Sequence, residues 1–447
     1  MSLVVTSRAA SLRSVLDASL ASEAIEKALV TAHRLAVPER VEQAAREARR
    51  ETMFPLSIHW TPHSLAQGHA GLALLYSHLD ACRPNENWDR IGHEYLLLAA
   101  QDAARYSDLH ISLFAGLTGV AFAAWRLSRG GTRYRRLLDT LDNAIAPRAV
   151  LAAQRLHSRH GVSVSEFDAI SGLTGIGAYL LCRRDNPVLT EALLAVVKSL
   201  LDLCLDKTIP PRWFTPCHLL GDEALRDVYP DGCLNLGLAH GIPGPLAFLA
   251  LAHREAIEVP GLRDGIRHIA DWIAAHSCDD EWGINWPTSV RLNGISEAAP
   301  EKPSRCAWCY GSPGIARAMW LAGEALDCEH YRALAVSALE AVFRRPSSTR
   351  QIDSPTFCHG MAGLLAVTLR FNQDTGGEMF REEIVSLVRQ ILARFQPNSL
   401  LGFRNIEFEE HEIEQPGLLD GAPGVVLALV AAATPVPPAW DRLFLLS

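Results

Sequence analysis

The chain has 447 residues, 49% hydrophobic and 21% charged, with a formal net charge of −8 at pH 7, a balance expected of a water-soluble protein with a large core. It carries no basic block interleaved with aromatics, as a nucleic-acid surface would need, and no apolar run of the ~18 residues that a membrane span needs. Its start, MSLVVTSRAASLRS, lacks the apolar core of a signal peptide, so a cytoplasmic location and ten scattered, reduced cysteines are expected rather than a disulfide framework.

From about Ala9 to Thr52, apolar residues recur at three- and four-residue intervals among Arg and Glu, which predicts one or two amphipathic helices. A short phrase, Gly-x-x-Gly, then opens a series: GHAG from Gly68, GLTG from Gly116, GLTG from Gly172, GIPG from Gly241, GSPG from Gly311, GMAG from Gly360 and GAPG from Gly421. Successive copies lie 48 to 70 residues apart, whereas 31 glycines in 447 positions would supply roughly two such pairs by chance. This is an internal repeat. After the phrases come nearly unbroken apolar runs, such as VAFAAWRL from Val120, LLAVTLRF from Leu364 and VVLALVAAA from Val425. The segments between them, such as GLRDGIRHIADWIAAHS before Cys278, are amphipathic.

Helices buried all round alternating with helices that show one face to water are what two concentric rings require. The first glycine of each phrase is expected to take positive φ and end a turn, and the second to let a new helix start close to its neighbour. The prolines of GIPG, GSPG and GAPG preset φ in the first helical turn, where no amide donor is needed. The expectation is therefore an all-α protein, an α/α toroid of seven inner and seven outer helices in a single domain, residues 1–447. Two stretches break the pattern. One, PPRWFTPCHLLGDEALRDVYPDG, makes about 205–235 a candidate insertion of irregular or β structure; the other, from Asp280 to Gly311, holds short strands around Trp282–Leu292 and a long loop.

Three metal-seeking residues sit at the edges of two phrases. Cys309 lies two residues before Gly311, and Cys358 and His359 directly precede Gly360. Taken singly, each reads as easily as a buried cysteine or a loop histidine. If the phrases mark equivalent helix starts, the three converge, and two thiolates with one imidazole leave a tetrahedral Zn²⁺ one open position, the arrangement of a catalytic site. Sulfur donors select zinc over magnesium or calcium. Cys306 forms a CxxC with Cys309 but has neither a βαβ context nor a second CxxC, and is left outside the metal set. Cys82, Cys182, Cys204, Cys278 and Cys328 are read as small core residues in helices.

At these positions the chain resembles the lanthionine synthetase C-like cyclases, from Gly68 to Gly424. The strongest stretches are FDAISGLTGIGAYLL around Asp168, LNLGLAHGIPGPLAFLA around His240, SRCAWCYGSPGIA around Cys309 and FCHGMAG around His359. The resemblance implies an α/α toroid, zinc held by Cys309, Cys358 and His359, and further functional positions at Asp168, His240, Arg305 and Tyr310. It also implies a reaction: a cysteine thiol of a precursor peptide adds to a dehydroalanine or dehydrobutyrine of the same peptide and closes a (methyl)lanthionine ring. Without a dehydratase-sized extension, the chain resembles the free-standing cyclases. These act on a dehydrated, leader-bearing peptide, with a separate dehydratase and in some cases an exporter as transient partners.

That chemistry suits the residues. A free thiol has a pKa near ~8.5 and is mostly protonated at neutral pH, whereas coordination removes the proton. Addition leaves an enolate that needs a proton at its α-carbon, and His240 is the natural acid. Asp168 would orient His240 or take the thiol proton, Arg305 would stabilise negative charge, and Tyr310 would donate or wall the pocket. The plain alternatives are a helix cap for Asp168 and a solvated charge for Arg305. His69, His110 and His218 are read as structural. Two rival functions remain: a family member that binds or adds glutathione, and a protein prenyltransferase, which would place an aspartate in the metal shell.

Overall fold

The computed structural model describes residues 15–57, 59–292 and 304–447. Residues 9–14 of the first expected helix and residues 293–303 of the long loop lie outside the described residues. Two helices come first, α1 (Ala18–Leu35) and α2 (Pro38–Glu51). Next are α3 (His69–Cys82), α4 (Trp88–Ala103), α5 (Leu117–Leu127), α6 (Arg135–His157), the single turn α7 (Val164–Phe167), α8 (Leu173–Cys182) and α9 (Pro187–Leu205). A short α10 (Glu223–Val228) and strand β1 (Cys233–Asn235) lead to α11 (Pro243–Arg254) and α12 (Leu262–Ala275). Strands β2 (Cys278–Asp280), β3 (Gly283–Asn285) and β4 (Ser289–Arg291) precede α13 (Ser312–Leu326), α14 (Glu329–Arg344), α15 (Met361–Asp374) and α16 (Arg381–Ala393). Strands β5 (Asn405–Ile406) and β6 (Glu412–Ile413) come before α17 (Ala422–Ala433). The strands pair antiparallel, β1 with β4, β2 with β3 and β5 with β6.

The helices that start at the seven phrases, α3, α5, α8, α11, α13, α15 and α17, form the inner ring; each packs on the next, and α17 packs on α3. Outside them lie α4, α6, α9, α12, α14 and α16, and α1 comes from the other end of the chain to cover α17. Burial follows this division. Every residue of α11 from Pro243 to Ala252 is buried, whereas α12 buries one stripe, Leu262, Gly265, Ile266, Ile269, Ala270 and Ile273. The expected toroid is the observed fold.

The glycines work differently from expectation at one of their two positions. Among the seven first glycines only Gly311 has positive φ, at 105°. Gly68, Gly116, Gly172, Gly360 and Gly421 are extended N-caps, and Gly241 lies two residues before its helix; at all six a Cβ would strike the backbone of the loop just traversed. The second glycines behave as expected. A Cβ at Gly119 would lie 2.8 Å from Leu65 Cβ, at Gly424 2.8 Å from Phe357 Cβ, and at Gly71 3.0 Å from Leu418 Cβ. The last contact joins the seventh repeat to the first. Pro243, Pro313 and Pro423 occupy the first helical turn, as their phrases predict.

After α17 the chain turns back inside the ring. Asp441, Leu443, Phe444, Leu445 and Leu446 are buried, and Phe444 lies against Phe114, Trp308 and Phe357, with ring centroids 5.9, 5.0 and 3.8 Å away. Trp308 Nε1 donates to Phe444 O (2.9 Å) and Arg317 Nε to Leu446 O (2.7 Å). One reading of the cysteines is corrected: Cys278 lies in strand β2 and is exposed, so it belongs to no helix core.

Candidate metal centre

The loops that enter the inner helices are tied to one another by backbone hydrogen bonds running round the ring. Ala169 N–H donates to Ala239 O (3.0 Å), Ala239 N–H to Cys309 O (3.2 Å), Cys309 N–H to Cys358 O (3.3 Å), Cys358 N–H to Leu419 O (2.8 Å) and Leu418 N–H to Ala66 O (2.7 Å). Equivalent positions of successive repeats are thereby brought to neighbouring places. The residue just before each first glycine follows this seam, which places His240, Tyr310, His359 and Asp420 in succession around the ring.

The Cys309 and Cys358 thiols are neighbours. Donor atoms of Cys358, His359 and Asp420 all lie within 4.8 Å of one another. Contact with Cys309, burial, and the nearby Asp420 carboxylate push the Cys358 thiol well above its ordinary pKa, while Arg305 opposes them. Asp420 Oδ1 is buried and has no hydrogen-bond partner among the described residues. The half-buried Cys358 thiol, His359 ring and Asp420 carboxylate, the last two 3.3 Å apart, form a donor set that a soft divalent cation would suit, and Cys309 lies beside Cys358 but outside this close set. Cys306 stands apart: its backbone N–H binds Arg350 O (2.9 Å), and burial raises its thiol to about 11.

One loop away is a second cluster. His240 Nδ1–H donates to Asp168 Oδ2 (2.7 Å), with Asp168 at 1% exposure and the His240 side chain at 36%. The other Asp168 oxygen accepts from Ser171 N (2.7 Å) and Gly172 N (2.8 Å). One oxygen thus ties down the loop before α8 and the other holds the His240 ring. Tyr310 stands beside His240, with ring centroids 6.1 Å apart. Its hydroxyl accepts from Asn235 Nδ2 (3.0 Å), and burial raises its pKa, keeping it a proton donor.

His359, Asp420 and Arg305 line a cavity of about 600 Å³. Its outer wall comes from the segment after α2 and the β5–β6 hairpin, which contribute Phe54 and Phe408. Thr52 Oγ1 and Met53 N, both donating to the Glu407 carboxylate (2.8 and 2.7 Å), tie these two pieces together. Sequence reasoning missed Asp420 and Asn235. Asp420 carried a signal, since it precedes Gly421 as His359 precedes Gly360.

A family model described as lanthionine synthetase C-like protein matches residues 59–445. The chain is 25% identical over 348 residues, 76% of its length and 82% of the relative's, to the nisin biosynthesis protein NisC of Lactococcus lactis subsp. lactis. It is similar in structure to nisin cyclase, with a TM-score of 0.74 at 23% sequence identity, covering 92% of this chain and 97% of that one.

Proposed function

The chain belongs to the lanthionine synthetase C-like family, and from that premise we propose that it is a zinc-dependent lanthipeptide cyclase, joining cysteine thiols to dehydroalanine or dehydrobutyrine within a precursor peptide. The relative named for nisin biosynthesis supports this reading. The observation that carries it is the paired Cys309 and Cys358 thiols beside His359 at a cavity, with the His240–Asp168 pair one loop away.

Cys309, Cys358 and His359 would hold the ion, which supplies the positive charge that keeps a peptide thiol deprotonated at neutral pH. The remaining steps belong to the chain. The cavity seats the peptide with its thiol at one end and its dehydro residue towards His240. Sulfur forms a bond to the β-carbon, the π electrons move to the α-carbon and amide oxygen, and Arg305 faces that negative charge. His240, held through Nδ1 by Asp168, delivers a proton to the α-carbon from its other nitrogen. The thiol hydrogen has then been added across the double bond with no change in mass. Asp168 acts as the positioning residue, because both of its oxygens are already engaged. Asp420 offers the aspartate that the prenyltransfer reading required, while family membership supports the cyclase reading.

The test is metal analysis of the purified chain, then incubation with a dehydrated, cysteine-containing peptide. Ring formation is read as lost reactivity towards a thiol-alkylating reagent at constant mass. A protein that turns the peptide over with no bound metal would overturn the reading.

A further inference from the structure

A second set of positions repeats round the ring. Six residues before the first glycine of a phrase, the carbonyls of Pro62, His110, Asn235, Ser354 and Gln415 each accept from the amide just after that glycine (2.8–3.1 Å). Arg305 stands at the same step before Gly311. Side chains at this step start from matching places, and those of Arg305, Ser354 and Gln415 line the mouth cavity with His359. Arg305 has a part in the chemistry proposed above, and Ser354 Oγ donates to Asn405 Oδ1 (2.9 Å). Gln415 has hydrogen-bonding capacity left over. Its Nε2 lies 3.3 Å from His59 Nδ1, and His59 Nε2 lies 3.1 Å from Phe54 O. A carbonyl can only accept, so the imidazole proton sits on Nε2 and Nδ1 receives from the glutamine amide. That order turns Gln415 Oε1 away from His59, and this oxygen is buried with no hydrogen-bond partner among the described residues. An amide oxygen buried in this way costs free energy until a donor reaches it. Gln415 is 2% exposed, and the space it borders is the cavity.

We infer that Gln415 is a substrate-binding residue, whose Oε1 accepts from a backbone N–H of the precursor peptide and fixes the register of that peptide in the cavity. The inference rests on the cyclase reading above and adds a main-chain contact to it. Every residue except proline offers one backbone donor. The contact therefore tolerates different side chains at that place of the peptide and rejects proline there.

The probe is a dehydrated precursor peptide with its cysteines replaced by alanine. It cannot cyclise, so fluorescence anisotropy of a labelled copy reads Kd on the full chain without turnover. Gln415→Met, similar in length but without the acceptor, should raise Kd about 3–10-fold, the range of one hydrogen bond. Ester analogues of the peptide, each with one backbone N–H exchanged for oxygen, then locate the donor. At one position the ester should weaken binding to the parent by a similar factor and leave binding to Gln415→Met unchanged. Thermal melts check folding. If Gln415→Met is unstable, Gln415→Asn, which keeps the amide but withdraws its oxygen by one methylene, carries the same comparison. A folded variant that binds as tightly as the parent, or ester losses that are equal in parent and variant, overturns the inference and leaves the cyclase reading standing. A parent protein that neither binds this peptide nor closes rings in its cysteine-bearing counterpart sinks the cyclase reading itself.

Discussion

Trp308 and Cys309, like Phe357 and Cys358, are neighbours in sequence that serve opposite regions of the molecule. The aromatic of each pair turns into the ring and meets Phe444, where everything is dry. Cys358 belongs to the cluster with His359 and Asp420, with Cys309 next to it, beside a cavity whose walls include Arg305 and an exposed Phe408. At these two loops a rigid aromatic plug and a polar mouth are thus built from the same segment, offset by one residue. The comparison teaches that the repeat fixes where side chains start, while one step along the backbone decides whether they stabilise or react.

The mouth should break first and most completely. Cys309→Ala or His359→Ala is expected to lose stoichiometric zinc and all measurable ring closure while keeping the parent melting behaviour, since neither belongs to the aromatic plug; metal analysis beside circular dichroism checks this. His240→Ala should retain the metal and lose roughly 10²–10⁴-fold in turnover, the range for a general acid. If His240→Ala lost zinc as well, the two mouth clusters would be one.

The same offset explains what was legible in the amino-acid sequence. Seven Gly-x-x-Gly phrases announced seven inner helices, because a close helix start needs glycine wherever it occurs. Cys309, Cys358 and His359 stood out because sulfur and imidazole are rare enough to notice beside a phrase. Asp420 occupies the matching place but is a common residue there, and its meaning rests on a closeness to Cys358 and His359 visible only in three dimensions. Positive φ was expected at every first glycine and occurs only at Gly311, since crowding by a carbonyl leaves no mark in sequence. The plug was unreadable too: AWDRLFLLS has no period, and Phe444 gains its role from partners at positions 114, 308 and 357.

The dry side should break differently. Phe444→Ala empties an aromatic site against four rings and is expected to cost about 3–5 kcal/mol of stability. Because Phe444 supports the residues preceding both cysteines, zinc affinity should also fall, by about 10–100-fold, as when the support of metal ligands is loosened. Denaturant titration and competition with a zinc chelator measure the two effects separately. Unchanged affinity in a destabilised Phe444→Ala protein would make the plug a core element with no hold on the mouth.

The gentlest probe is acid. His78, buried beside Trp440 with Arg126 nearby, is held down to about 3, mainly by burial and further by that guanidinium. His69, between Trp60 and Tyr95, is lowered to about 4 by burial, with Asp102 opposing. Both folded values lie below the ~6.5 of an unfolded histidine, so between them the unfolded chain binds more protons and stability falls as pH drops. The loss starts near pH 6.5 and approaches about 1.4 kcal/mol per pH unit for each histidine, ending for His69 near its folded value. His78→Leu, close in volume and unable to titrate, should remove one of the two contributions and flatten the slope of unfolding free energy against pH between roughly 6 and 4. An unchanged slope would mean that the acid sensitivity of the fold lies elsewhere than in this buried imidazole.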